Sequence, residues 1–424
     1  MKKQYGYFWT IWLLSAVLLS GQAGGKGSLV IMGGAINSSL DRVYRRFIEL
    51  GGGLEHIRLA IIPAASVEPA ASGSASAADF ARMGVPADHI RVFPISILDD
   101  PTTKDVDETQ WARNGFDEAL AKDMLEYTAV YFVGGDQIRY NQTLKKANGE
   151  DAPLLASIRK IYADGAVIGG SSAGAAMMCD PMICDGYSMK ALTAGAAYKP
   201  DSCPEAKGVS ISNGLGFFSG GLVDQHFLKR GRIGRLLMAI YALPKVWLGV
   251  GIDEDTAAVC QGDTVEVLGS SGILVVDVAA AKAAGDFTWS TDNGFKAKGI
   301  VLHYLEEGDR YNTATRTPLP RPERKPVIKG KEANVDYPLE SNLFAPDAFR
   351  NMLVDGMAEN QKSETSGIAF TLDSKGSGTG SQWTLRKTER FAGLYASIKD
   401  KETYSVTYVS LEIQPVSLRV KKIH

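Results

Sequence analysis

Residues 166–178 constrain this chain more than any other stretch, running Ala166-Val167-Ile168-Gly169-Gly170-Ser171-Ser172-Ala173-Gly174-Ala175-Ala176-Met177-Met178. Apolar, strand-forming residues lead into a turn of small residues and then into a helical pattern. Inside it, Gly170-Ser171-Ser172-Ala173-Gly174 fits G-x-S-x-G, in which a serine sits on a strained strand-to-helix turn and glycines on both sides allow close backbone approach. The frame selects Ser172 over Ser171. A helix that begins just after Ser172 would aim free backbone N–H groups at the charge formed during acyl transfer. Alone, the motif is equally an incidental glycine-rich turn, so its meaning depends on the segments that accompany it.

Those segments alternate. Short apolar runs at 28–32, 57–62, 90–95 and 129–133 are interleaved with helical patterns at 40–50, 117–127, 138–147 and 154–162. This alternation predicts an α/β fold with a mostly parallel central sheet and flanking helices, whose ligand site lies at the carboxyl ends of the strands. Gly134-Gly135-Asp136-Gln137 and Ser172 both follow strands, so one crevice can hold both. The 424 residues, 45% hydrophobic and 22% charged, supply a core for one large or two ordinary domains. With 46 basic against 48 acidic residues the net charge is −2, and the basic footprint of a nucleic-acid binder is missing.

Beyond the elbow, residues 185–213 read as irregular, and 216–226 read as a strand that delivers Asp224, Gln225 and His226. The pattern at 227–241 predicts a helix with Arg230, Arg232 and Arg235 near its start. Positive charge is unfavourable at a helix N-terminus, so these arginines call for an anionic partner or nearby carboxylates. The strand at 247–252 runs into Asp253-Glu254-Asp255. Of the five histidines, only His226 follows a strand among hydrogen-bonding groups. Alternation along a strand sets Glu254 on the face opposite Asp253 and Asp255, which leaves open which acid would orient His226.

Four blocks taken together resemble the cyanophycinase family of serine exopeptidases, which is related to alpha-aspartyl dipeptidase. They are Gly134-Gly135-Asp136-Gln137, the elbow at 170–175, the Asp224 to Arg235 run, and Gly251-Ile252-Asp253-Glu254-Asp255-Thr256-Ala257, and the similarity extends from about residue 28 to 307. The resemblance implies a class I glutamine amidotransferase-like, flavodoxin-like fold. It implies Ser172 as nucleophile, His226 as general base and Glu254 as the acid that orients it, with an oxyanion hole from the N–H groups of Gly135 and Ala173. Substrate contacts are implied for Gln137, Asp224, Gln225, Arg230, Arg232 and Arg235. The implied substrate is cyanophycin, a polyaspartate with arginine on each side-chain carboxyl, released as β-aspartyl-arginine dipeptides. No cofactor or metal is implied, and a homodimer is. The alternatives are a serine peptidase for other aspartyl or isoaspartyl peptides and, in another class, a non-catalytic peptide-binding protein, which the intact Ser172, His226 and Glu254 set opposes.

The ends of the chain carry separate signals. Lys2 and Lys3, an apolar run at 7–19 and Ser20-Gly21-Gln22-Ala23 follow the grammar of a signal peptide over 1–23. This predicts a secreted or periplasmic protein with no stable membrane anchor after cleavage. In an oxidising compartment Cys184 and Cys203 are the first pair to expect, whereas Cys179 and Cys260 read as buried small hydrophobes. The expected division is a catalytic domain over 24–314, an exposed proline-rich linker over 315–340, and a small α+β unit over 341–424 with a flexible Gly/Ser tip at 375–381.

Overall fold

The computed structural model describes residues 27–37, 41–327, 333–398 and 401–420. The signal-peptide stretch lies outside them. Strands β1 (Leu29–Met32), β2 (Leu59–Ile62), β3 (Ile90–Val92), β4 (Ala129–Phe132) and β5 (Val167–Ser171) pair in parallel in the order β3-β2-β4-β5-β1. Their near-continuous apolar sequences follow from burial on both faces, since β1, β2 and β4 are buried at every position. Helices Asp41–Leu50, Pro69–Arg82, Glu118–Met124 and Pro153–Ala163 alternate with these strands. Helix Pro69–Arg82 has no apolar stripe that the sequence pattern could reveal. Its small residues serve close approach instead: a Cβ on Gly73 would stand 2.5 Å from Val92 Cγ1.

The stretch expected to be irregular at 185–213 is ordered. Strands β6 (Met182–Asp185), β7 (Ala196–Tyr198) and β8 (Val209–Ser212) form a small sheet around helix Ser188–Ala194. A disulfide joins Cys184 to Cys203 across a sequence separation of 19, while Cys179 and Cys260 are buried and free. Closing a loop of that length restricts the unfolded chain by about 3 kcal/mol. The Cys184→Ala/Cys203→Ala double variant is therefore expected to lose about 2–3 kcal/mol in a urea titration, and an unchanged midpoint would show that the bridge does not constrain this segment.

A second sheet holds the next strands. β9 (Leu222–Asp224) and β10 (Leu248–Ile252) pair in parallel at its edge. The chain then returns to the first sheet as β11 (Thr256–Gln261), antiparallel to β1, followed by β12 (Thr264–Gly269). The first sheet is thus parallel through five strands, as the alternating pattern predicts, and antiparallel from β11 outward. β13 (Gly272–Asp277), β14 (Phe287–Ser290) and β15 (Gly294–Glu306) belong to the second sheet, and β16 (Arg310–Asn312) and β17 (Thr317–Leu319) complete the first.

The proline-rich stretch is not a free tether in its described part. β18 (Lys325–Pro326) pairs with the C-terminal strands, and Arg324 is fully buried against Asp309, with Nε 2.6 Å from Oδ1. Helix Ala348–Leu353 precedes β19 (Glu364–Leu372), β20 (Ser377–Ile398) and β21 (Lys401–Arg419). β21 pairs antiparallel with β15, so the C-terminal strands lie in the same sheet as β9 and β10. Buried Trp383 meets Phe344 and Phe349 edge-on beneath them. The Gly/Ser tip expected to be flexible is mostly strand. Gly378 and Gly380 are small because a Cβ there would fall 1.8 Å and 2.2 Å from the carbonyl oxygens of Thr371 and Ala369.

Candidate active site

Ser172 sits between β5 and a helix of four residues, Ala173–Ala176, with φ 54° and ψ −108°. This is a strained conformation for a residue with a side chain, and its neighbours enforce it. A Cβ on Gly170 would lie 2.5 Å from Gly174 O, and one on Gly174 would lie 2.3 Å from Phe132 O, so both glycines of the motif are required by contact. The helix is shorter than the pattern to Met178 suggested. Its dipole is correspondingly small, and the local N–H of Ala173 matters more than the helix as a whole.

His226 follows β9 and Glu254 follows β10, both strands of the second sheet, whereas Ser172 follows β5 of the first. His226 Nε2 is 2.9 Å from Ser172 Oγ and Nδ1 is 2.6 Å from Glu254 Oε1. The three side chains form one continuous hydrogen-bonded line, in which Glu254 Oε1 accepts from Nδ1–H and Nε2 faces the hydroxyl.

The end of β1 ties the two sheets together, and sequence reasoning missed it. Three consecutive carbonyls do the work: Met32 O accepts from Ser172 N at 3.1 Å, Gly33 O from His226 N at 2.7 Å, and Gly34 O from Asp255 N at 3.1 Å. Gly34 has φ +106°, and a Cβ there would stand 2.3 Å from Cε1 and Nε2 of His226, so the imidazole lies directly over it. The signal available in the sequence was the Gly33-Gly34 pair at the end of a strand, which marks close backbone approach.

The three acids divide their roles by geometry. Asp253 is fully buried and accepts from Leu228 N, Lys229 N and Ser271 Oγ, which fixes the turn that follows His226. Asp255 Oδ1 accepts from Asn37 N. Glu254 alone faces the imidazole.

Gly135 has φ +141°, and a Cβ there would fall 2.0 Å from Ala65 O, while the missing side chain of adjacent Gly134 leaves room for Ser172 Cβ at 3.4 Å. Among the described residues, neither Gly135 N–H nor Ala173 N–H has a hydrogen-bond acceptor. Two donors without a partner thus belong to the residues next to Ser172 and next to Gly134, which packs against it.

The other expected contacts separate into groups. Gln137 is buried, and its Nε2 donates to Ile183 O and Cys184 O, so it holds the disulfide segment instead of presenting its amide to the crevice. Helix Ile233–Ala242 starts later than the pattern predicted, which leaves Arg230 in the preceding turn and Arg232 at the cap. Arg235 is buried and spans both oxygens of buried Asp224, with Nε 2.8 Å from Oδ2. Carboxylate compensation accounts for that arginine. Arg232 Nη1 donates to Gln225 O and Oε1, both at 2.8 Å, and stands 3.9 Å from Asp224 Oδ1. Burial first, and then Arg235, brings the Arg232 guanidinium down to about 10. Arg230 is half-exposed, with Nε 3.7 Å from Glu254 Oε1.

Burial holds the His226 pKa below the ordinary 6.5, the hydrogen bond to Glu254 opposes this, and Arg230 and Arg232 add to the lowering. The neutral imidazole, which is the proton-accepting form, therefore persists to a lower pH than in an exposed histidine. The acidic limb of kcat/KM is expected below pH 6.5, and Arg230→Gln, which removes a positive charge, is expected to move it upward. A limb that stays in place or moves down in Arg230→Gln would contradict this electrostatic arrangement.

The chain is similar to several known proteins. The sequence profile described as peptidase family S51 matches residues 106–268. The cyanophycinase of Geminocystis herdmanii is 33% identical over 297 residues, covering 69% of this chain and 96% of that protein. Those of Synechococcus elongatus and a Nostoc species are 32% and 31% identical, covering 69% and 70% of this chain and 81% and 88% of theirs. Among solved structures, a peptidase from an acI-B1 Actinobacterium aligns with a TM-score of 0.43 at 21% identity, covering 59% of this chain and 91% of that one.

Proposed function

We propose that this chain, which belongs to the cyanophycinase family within peptidase family S51, hydrolyses cyanophycin from its end and releases β-aspartyl-arginine dipeptides. The chain is a serine-type peptidase. The observation that carries the finer reading is the hydrogen-bonded line Ser172 Oγ, His226, Glu254 beside two unpaired N–H donors and an arginine-rich turn.

In this reading His226 Nε2 takes the Ser172 proton as Oγ attacks the scissile carbonyl. The oxyanion meets the N–H groups of Gly135 and Ala173, and Glu254 stabilises the imidazolium through Nδ1–H. His226 then protonates the leaving amine. Water, deprotonated by the same imidazole, cleaves the acyl-enzyme and restores Ser172. Arg230, with Arg232 behind it, supplies positive charge for the carboxylates of an aspartyl backbone. Asp224, Gln225 and Gln137 act as supports of this wall.

Two further features belong to the proposal. Order β3-β2-β4-β5-β1 with the nucleophile after β5 supports a class I glutamine amidotransferase-like arrangement. The Cys184–Cys203 bridge, with the leader-like residues 1–23, supports export to an oxidising compartment. The homodimer rests on the family resemblance.

Incubation of the purified protein with cyanophycin, followed by mass analysis of soluble products, tests the activity. β-Aspartyl-arginine as the first and dominant product is expected. Insoluble polymer left intact while short isoaspartyl peptides are cleaved would replace the substrate assignment with the other aspartyl peptides.

A further inference from the structure

We propose that Tyr187 is a specificity-determining residue of this site, a ring on which the guanidinium of a substrate arginine side chain stacks. The proposal rests on the aspartyl-arginine reading above and names how that site tells an arginine-bearing substrate from a neutral one.

Tyr187 is 71% exposed, yet the backbone on both sides of it is pinned. Gly186 O accepts from Arg235 Nη1 at 2.9 Å, and Arg235 is the same guanidinium that spans Asp224. Ser188 Oγ donates to Gly231 O at 2.5 Å and accepts from Gly234 N at 3.0 Å and Arg235 N at 3.2 Å. On the other side the Cys184–Cys203 bridge and the two bonds from Gln137 hold the strand. The ring therefore projects from a segment fastened to the turn that follows His226 and carries Arg230 and Arg232. Tyr187 is also among the groups close enough to bear on the ionisation of Arg232.

An exposed tyrosine on a fixed backbone has only two side-chain torsions to order, so a ligand that covers it loses little entropy. The charges nearby leave few places for a substrate guanidinium. Arg230 and Arg232 repel a second guanidinium, Asp224 has both oxygens occupied by Arg235, and Glu254 is bonded to His226. The exposed carboxylate of Asp185 uses Oδ1 on Gly186 N. What the rim offers to a planar cation is the face of Tyr187, and guanidinium groups stack on aromatic faces.

Kinetics on two matched substrates test this: a short β-aspartyl-arginine oligomer and its citrulline isostere, in which a neutral urea replaces the guanidinium. Tyr187→Ala is expected to lower kcat/KM on the arginine substrate about tenfold and to leave the citrulline substrate within about twofold, and Tyr187→Phe is expected to keep the wild-type preference. Equal losses on both substrates would overturn the proposal, as would a preference lost in Asp185→Asn and kept in Tyr187→Ala. Calorimetric binding of arginine- and citrulline-terminated dipeptides to Ser172→Ala protein, with and without Tyr187→Ala, reads the same ratio without turnover. If the wild type cleaves neither substrate, the aspartyl-arginine substrate reading fails, and the binding ratio still decides the role of Tyr187.

Discussion

Ser172→Ala is expected to lower kcat by about 10⁴- to 10⁶-fold while leaving the thermal midpoint and substrate KM close to wild type. The loss is large because in the proposed mechanism the Ser172 hydroxyl forms the covalent bond to the acyl group. Ser171 is the informative control. It lies on β5 one residue earlier and so points to the other side of the sheet, where it approaches Tyr131. Ser171→Ala is expected to retain activity within a few-fold. Turnover that survives in Ser172→Ala and disappears in Ser171→Ala would place the nucleophile one residue away.

The second large effect is on stability. Arg235→Met should destabilise the fold by about 3–5 kcal/mol, because it leaves the Asp224 carboxylate buried without its partner. Arg235 and Asp224 have side chains only 5% and 1% exposed, so solvent cannot replace the lost guanidinium. Gly186 O also loses its donor, which loosens the segment that bears Tyr187. Arg230→Gln is the contrasting case, since half-exposed Arg230 should cost little stability and act on the pH profile instead. Equal melting temperatures for wild type and Arg235→Met would show that Asp224 becomes neutral or finds another donor.

The parts of this architecture that a reader of the sequence can see are those that rest on local rules. The elbow is visible because the glycine spacing around Ser172 encodes a local turn, in which Gly170 must approach Gly174, although the contact of Gly174 with Phe132 is distant in the chain. The parallel strands are visible because double burial writes continuous apolar runs. The assignment of β9 and β10 to a second sheet was not visible, because strand pairing is decided by residues distant in the chain. The same holds for Arg235, whose charge at a helix start signalled a carboxylate but could not say that Asp224 supplies it. Gly33 and Gly34 carry no chemistry of their own, so nothing in their type linked them to His226. In 185–213, Ala- and Gly-rich composition hid a sheet and a helix that a disulfide and bonds to the 231–235 turn hold in place.

The central claim is that Ser172 is an activated nucleophile driven by His226. A fluorophosphonate reagent, followed by peptide mapping, tests it without reference to any substrate. One adduct on Ser172 is expected, formed at a rate that rises with pH as His226 becomes neutral and that falls by orders of magnitude in His226→Ala. Undiminished labelling of Ser172 in His226→Ala, or an adduct on another serine while Ser172 stays unmodified, would contradict it.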